Sequence, residues 1–176
     1  AAAIHDAGGV GGAVCHGPAA LIDVTLADGR RLLDGKRVTG FTNEEELFII
    51  EDARAVFPFL LEDVLTAQAG AFSAGPKYLD HTVIDGRLVT GQNPWSTWSV
   101  AEGMIRAMGF VPVPRQPTLE ERAVVVLAAF HRDGAAGAAA VRDGGNFDKR
   151  LVLRHAVVAA IDGRPLEAFR LQRLVH

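Results

Sequence analysis

The sequence predicts an α/β domain followed by a helical extension, and three observations lead to this prediction. Short apolar runs such as residues 10–14 and 87–90 have the length and composition of strands. Between them, segments such as residues 57–68 place apolar side chains three and four positions apart, as a helix requires. The prolines of residues 111–117 then end this pattern, because proline cannot lie inside a helix or a central strand.

The charge changes sign at the same place and supports a boundary there. Residues 1–114 carry 8 basic and 14 acidic side chains, whereas residues 115–176 carry 10 basic and 7 acidic ones. We therefore expect two domains, residues 1–114 and residues 115–176.

The composition limits the class of protein. Of the 176 residues, 49% are hydrophobic and 22% are charged, which is typical of a globular chain. A net charge of −3 predicts neither a nucleic-acid nor a membrane partner. A single cysteine excludes an internal disulfide and fits a reducing compartment. With no basic leader in residues 1–20 and no apolar run that reads as a membrane span, the expected location is the cytoplasm.

The elements of the first domain follow from local signals along the chain. Glycine pairs, Asp-Gly turns and the hydrophobic period predict these elements in order: a helix at 1–7, strand 10–14, a helix starting at 17–21, strand 37–40, helix 42–51, helix 57–68, strands 72–74, 81–84 and 87–90, and a helix from Ser96 or Thr97 to Met108.

The extension is predicted to contain three helices. Thr118 with Glu121 forms a capping box for the first, which we expect to end near Asp133 and Gly134. A second helix is expected over residues 147–161, and Pro165 suits the first turn of a third.

The only cysteine is followed directly by a histidine, and the two come between a predicted strand and a predicted helix. A sharp turn there lifts the Cys15 thiol out of the sheet edge, and a helix N-terminus behind it favours the thiolate. His16 is then the candidate general base or acid. The alternative is that Cys15 is a small buried apolar residue.

Three motifs carry a resemblance to a known family. Cys15-His16-Gly17-Pro18 comes first, Thr39-Gly40-Phe41 with acidic residues after it comes second, and Asp-Gly-Arg-Leu-Val-Thr-Gly-Gln-Asn-Pro at residues 85–94 comes third. In this order, over roughly residues 1–110, they resemble the DJ-1/PfpI superfamily, in its branch of glutathione-independent glyoxalases and heat-inducible chaperones. The resemblance implies a partial flavodoxin-like three-layer sandwich for residues 1–114.

The same resemblance implies the roles of the site residues. Cys15 is the implied nucleophile, His16 the base, and Glu46 the carboxylate that orients the histidine, with Glu44 and Glu45 as alternatives to Glu46. The backbone N–H of His16 is a candidate donor to an oxyanion. No metal and no organic cofactor are expected, and the implied assembly is a homodimer.

The implied activity is an enzymatic one, the glutathione-independent conversion of methylglyoxal, a small dicarbonyl substrate, to lactate, or the related deglycase reaction. One alternative is amidotransferase or peptidase chemistry on the same thiolate, although the His-x-Glu of class I amidotransferases does not occur in this sequence. Another is a non-catalytic holdase chaperone or a redox sensor that uses Cys15.

The predicted strand that leads into Cys15 begins unusually early in the chain, at residue 10. In the superfamily, βα units that build half of the sheet precede this strand. We therefore expect the chain to be the C-terminal portion of a longer protein; the alternative is that a second chain supplies the missing strands.

Overall fold

A computed structural model describes residues 1–175 of the chain and divides it into two compact units, Ala1–Val113 and Pro114–His176. The first unit contains five strands: β1 Gly11–Val14, β2 Arg37–Val38, β3 Ala71–Phe72, β4 Thr82–Asp85 and β5 Leu88–Gly91. Its α-helices are α1 Ala2–Asp6, α2 Asn43–Ile49, α3 Ala53–Val56, α4 Leu61–Gln68 and α5 Thr97–Ala107. The predicted α/β class is confirmed.

The strands form two small sheets. In the larger one the order is β1-β5-β4: β1 runs parallel to β5, with Gly11 opposite Leu88, and β4 runs antiparallel to β5. The Asp-Gly turn at residues 85–86 joins β4 and β5 as a hairpin, as predicted. In the smaller sheet β2 runs parallel to β3.

A hydrophobic core lies beside β1 and β5 and fixes the chain on either side of Cys15. Its side chains, mainly leucines, come from the segment between β1 and β2, from β2 and the residues after it, from α4 and from β5. They are Leu21, Leu32, Leu33, Val38, Phe41, Leu61, Leu65 and Leu88. All four residues of β5 are buried, so the strand next to Cys15 is held from both faces.

Two predicted helix starts differ from the structure, and a third begins where predicted, at Thr97, but without the predicted side-chain cap. The segment Gly17–Leu21 is a single short 3₁₀-helix and does not continue as an α-helix. The helix predicted over residues 57–68 begins only at Leu61. Phe57 and Leu60 both have extended backbone, and Pro58 favours this conformation in Phe57. Asn93, and not Ser96, caps the turn before α5, since the Asn93 side chain accepts the Trp95 N–H while the Ser96 hydroxyl bonds the backbone of His81.

The second unit consists of α6 Leu119–Arg142, α7 Lys149–Ile161 and α8 Pro165–Arg173. Thr118 and Glu121 form the predicted capping box at the start of α6. The expected end of this helix at Gly134 is a kink instead: Gly134 has φ +72° and ψ −165°, and helical backbone resumes after it.

By length and composition alone, α6 qualifies as a membrane-spanning segment, with a mean hydropathy of 1.3. The break at Gly134 divides it into two parts, each shorter than the roughly 20 residues that a span requires.

Candidate active site

Cys15 stands at a sharp turn directly after β1. Its backbone φ is +62°, a left-handed conformation that is rare for residues other than glycine. Two hydrogen bonds fix this turn: the Cys15 N–H donates to the Gly91 carbonyl at 2.9 Å, and the Phe41 N–H donates to the Cys15 carbonyl at 3.0 Å. The strained turn is thus anchored to β5 on one side and to the segment after β2 on the other, as in a nucleophile elbow.

The structure brings Cys15, His16 and Glu46 together in one line. Sγ of Cys15 lies 3.3 Å from Nδ1 of His16, and Nε2 of His16 lies 2.5 Å from Oε2 of Glu46. With Nε2–H donating to the carboxylate, Nδ1 is left as the acceptor that faces the thiol. This arrangement can take a proton from Cys15 and stabilise the imidazolium that results.

Solvent exposure decreases along this line from His16 to Glu46. The His16 side chain is 54% exposed and that of Glu46 only 10%. The Phe41 ring lies against the imidazole, with 4.5 Å between centroids, and limits the orientations of the ring. His16 is therefore accessible to a substrate, while its contacts with Glu46 and Phe41 fix the orientation of the ring.

The three consecutive glutamates of α2 have three different surroundings. Glu44 is exposed and lies 3.5 Å from the Lys77 ammonium group. Glu45 is fully buried in a hydrogen-bond network. Glu46 is the one whose carboxylate contacts His16. Successive helical residues point about 100° apart, so only one of the three faces the imidazole.

The Cys15 thiol does not have the electrostatic surroundings expected from the sequence. Burial raises the pKa of this thiol above its usual value, and the negative charges of Glu45 and Glu46 raise it further, while a hydrogen bond with the His16 backbone opposes the rise. The 3₁₀-turn that follows is too short to supply the helix dipole that we expected to favour the thiolate. Removal of the proton at neutral pH therefore depends on His16.

A cavity of about 240 Å³ opens beside the histidine and the carboxylate. Apart from these two side chains its lining is apolar: Ala19, Phe57, Pro58, Phe59 and Leu61. Sequence reasoning missed this wall, because residues 57–60 were assigned to the helix that begins at Leu61. The available signal was Pro58, which disfavours helical backbone in Phe57.

Sequence reasoning also missed the buried partners of Glu45, which include Gln92 and Asn93. Within residues 1–175, no group of three or more His, Cys, Asp or Glu side chains has the arrangement to hold a metal ion.

The chain is similar in sequence to several proteins named as glyoxalases, although no family model matches it. It is 39% identical over 116 residues to the glutathione-independent glyoxalase HSP31 of Saccharomyces cerevisiae, which covers 61% of this chain and 47% of the relative. It is 40% identical over 118 residues to glyoxalase 3 of Candida albicans, with the same coverage of both chains. The chain thus spans about half the length of the curated relatives that it matches.

Solved structures match the chain over a similar share of its length. The crystal structure of glyoxalase III from Candida albicans matches with a TM-score of 0.54 and 36% identity, over 59% of this chain and 45% of that one. The rapid encystment protein of Francisella tularensis matches with a TM-score of 0.56 and 35% identity, over 60% of this chain and 46% of the other. The predicted resemblance to the glyoxalase branch of the DJ-1/PfpI superfamily is confirmed.

Proposed function

We propose that this chain carries the cysteine, histidine and glutamate of a glutathione-independent glyoxalase, an enzyme that converts methylglyoxal to lactate. The observation that supports this most directly is the continuous line from Cys15 Sγ through the His16 ring to Glu46. The names of the relatives point to the same activity.

The reaction begins at the aldehyde carbon of the substrate. Sγ of Cys15 forms a bond to this carbon while His16 takes the thiol proton and delivers it to the aldehyde oxygen, which gives a hemithioacetal. Glu46 stabilises the imidazolium between these two transfers. The backbone N–H of His16 is a candidate donor to the developing oxyanion.

The remaining steps move a proton between the two carbons. His16 removes the hydrogen of the hemithioacetal carbon, the neighbouring ketone oxygen gains a proton, and an enediol forms. Protonation of the second carbon, together with loss of the hydroxyl proton from the first carbon, then gives the lactate thioester of Cys15. Water cleaves this thioester, which releases lactate and restores the thiol, so that the net change is the addition of one water to methylglyoxal.

The apolar cavity suits the other end of such a substrate. Its wall of Phe57, Phe59 and Leu61 presents no hydrogen-bonding side chain to a bound molecule. A dicarbonyl whose reactive end faces His16 would place its alkyl group against this wall. The cavity is therefore assigned to the substituent of an α-oxoaldehyde.

The test is the loss of methylglyoxal together with the formation of lactate, measured without glutathione. We expect any lactate formation to depend on Cys15, although the chain alone, which spans about half the length of its relatives, is expected to be poorly active. The Cys15→Ala variant should fall to the background rate, whereas Glu44→Gln, a matched control, retains the activity of the unchanged chain. Lactate formation that is unchanged in Cys15→Ala contradicts the proposal. Suppression of aggregation of a client protein that survives Cys15→Ala, without lactate formation, identifies a holdase instead.

Two further proposals accompany the function. We propose the cytoplasm as the compartment, because Cys15 is a free thiol on which the proposed reaction depends. We also propose a homodimer, which sedimentation equilibrium tests directly.

A further inference from the structure

The Glu45 carboxylate has more hydrogen-bond partners than any role in capping α2 requires. The residue is 0% exposed. Oε2 accepts from the N–H and the hydroxyl of Thr42, at 3.1 and 3.0 Å. Oε1 accepts from the Tyr78 N–H at 2.7 Å, from Gln92 Nε2 at 3.0 Å and from Asn93 Nδ2 at 2.8 Å.

These partners come from both sides of the candidate active site. Thr42 is the N-cap of α2, the helix that carries Glu46. Gln92 and Asn93 follow Gly91, whose carbonyl accepts the Cys15 N–H. A single buried carboxylate therefore ties the helix of the acid to the strand that anchors the elbow.

We propose that Glu45 is a positioning residue of the site, which holds its neighbour Glu46 against His16 by binding α2 to the segment after β5. The inference rests on the proposed function, since it concerns the same catalytic line. The hydrogen bonds of Glu45 reach none of the three side chains of that line, so its positioning effect passes through Glu46.

The role needs a carboxylate in particular, because all five partners are donors. A glutamine has almost the same shape but carries one NH₂ group. If this group faces Thr42, the Thr42 N–H meets a donor, although the hydroxyl can turn to accept. If it faces Tyr78, Gln92 and Asn93, three donors meet a donor. Either orientation leaves buried donors unsatisfied, so the packing around α2 has to shift.

The first experiment is a double-mutant cycle on lactate formation. We expect Glu45→Gln to lower kcat/KM about tenfold or more, which is the effect of one lost buried hydrogen bond to a charged group. In a Glu46→Gln background the same change should cost less than about twofold, because residues that act through one another are not additive. Equal losses in both backgrounds, or full activity of Glu45→Gln, overturn the proposal. Glu44→Gln is the matched control.

A milder change covers the case in which Glu45→Gln does not fold. Thr42→Ala removes one of the five donors and Thr42→Ser retains it. We expect Thr42→Ala to lower kcat/KM severalfold in the wild-type but not in the Glu46→Gln background, and Thr42→Ser to restore activity. Failure of Thr42→Ser to restore it contradicts the role of the hydroxyl.

A second readout requires no turnover and separates this inference from the proposed function. The ¹H–¹⁵N imidazole signals of His16 report its contact with Glu46. We expect Glu45→Gln and Glu46→Gln to displace these signals in the same direction, while those of His5 and His131 stay in place. His16 signals that are unchanged in a folded Glu45→Gln protein overturn the positioning role, whether or not lactate is formed.

Discussion

The Nε2 atom of His16 lies 2.5 Å from Oε2 of Glu46, thirty positions along the chain, and this contact completes the proposed catalytic line. Since the imidazole is half exposed and the carboxylate is nearly buried, the contact presents a polarised ring to the surface. We make four predictions, which concern Glu46, the Cys15 thiol, the apolar cavity wall and the contacts of Asp85.

Glu46→Gln should lower the rate of lactate formation by about 10²–10⁴-fold, the usual contribution of a positioned acid or base. The amide retains the shape of the side chain but cannot stabilise the imidazolium. Steady-state kinetics with methylglyoxal measures the loss. A similar loss in Glu44→Gln, which is exposed and faces Lys77, would mean that the effect reports charge rather than contact.

Alkylation of Cys15 by iodoacetamide should be slow at neutral pH and rise with a midpoint above the usual value for cysteine, about 8.5. Burial raises the pKa of this thiol, and the charges of Glu45 and Glu46 add to the rise. Glu46→Gln should therefore move the midpoint to lower pH, since one negative charge is removed. A wild-type midpoint well below that of free cysteine would show that the surroundings of Cys15 stabilise the thiolate instead, and would contradict this prediction.

Phe59→Ala should raise KM more for an α-oxoaldehyde with a bulky apolar substituent than for methylglyoxal, with little effect on kcat. The ring forms part of the apolar wall beside His16, and its loss removes contact area that only a large substituent uses. Phe110→Ala is the control, because Phe110 is 66% exposed and does not line this cavity. Equal changes in KM for both substrates would place the substituent elsewhere.

Asp85→Asn should lower the free energy of unfolding by about 1–2 kcal/mol at neutral pH, measured with urea. Asp85 accepts the Arg37 N–H at 3.0 Å and lies 3.1 Å from the Lys36 ammonium, so these contacts link β2 to the hairpin.

The same contacts lower the pKa of Asp85, the Arg37 N–H contributing most. Stabilisation by a carboxyl of lowered pKa is complete above its unfolded-state pKa and is lost as the pH falls through the folded-state value. The difference between wild type and Asp85→Asn should therefore vanish in acid. A difference that persists there would assign the effect to packing.

The sequence predicts the elbow well because its determinants are local. A strand, a thiol, a histidine and a Gly-Pro pair follow one another within residues 10–18, and the hairpin at residues 85–86 is equally local. The choice among Glu44, Glu45 and Glu46 was open for the opposite reason. Which helical face meets His16 depends on how α2 is seated against Tyr78 and Asn93, and these contacts join residues more than thirty positions apart.

Two other differences have the same origin. Periodicity continues the helix of residues 57–68 back through Pro58, whereas the chain there forms the cavity wall, a position set by packing. Gly134 is expected to end α6, whereas the helix resumes after it, and the alanines that follow are good helix formers. Proline and glycine thus mark a break in both places, but they do not determine the structure beyond it.

The adjacency of Cys15 and His16 in the chain has a consequence for partly unfolded states. The distance between sulfur and imidazole is set by the torsions of one dipeptide, whereas the distance to Glu46 is set by the seating of a helix. Mild denaturant that loosens α2 should therefore separate two properties that occur together in the native protein, the reactivity of the Cys15 thiol and the proposed turnover. Turnover should disappear first, while Cys15 and the neighbouring His16 remain a reactive pair that forms no product.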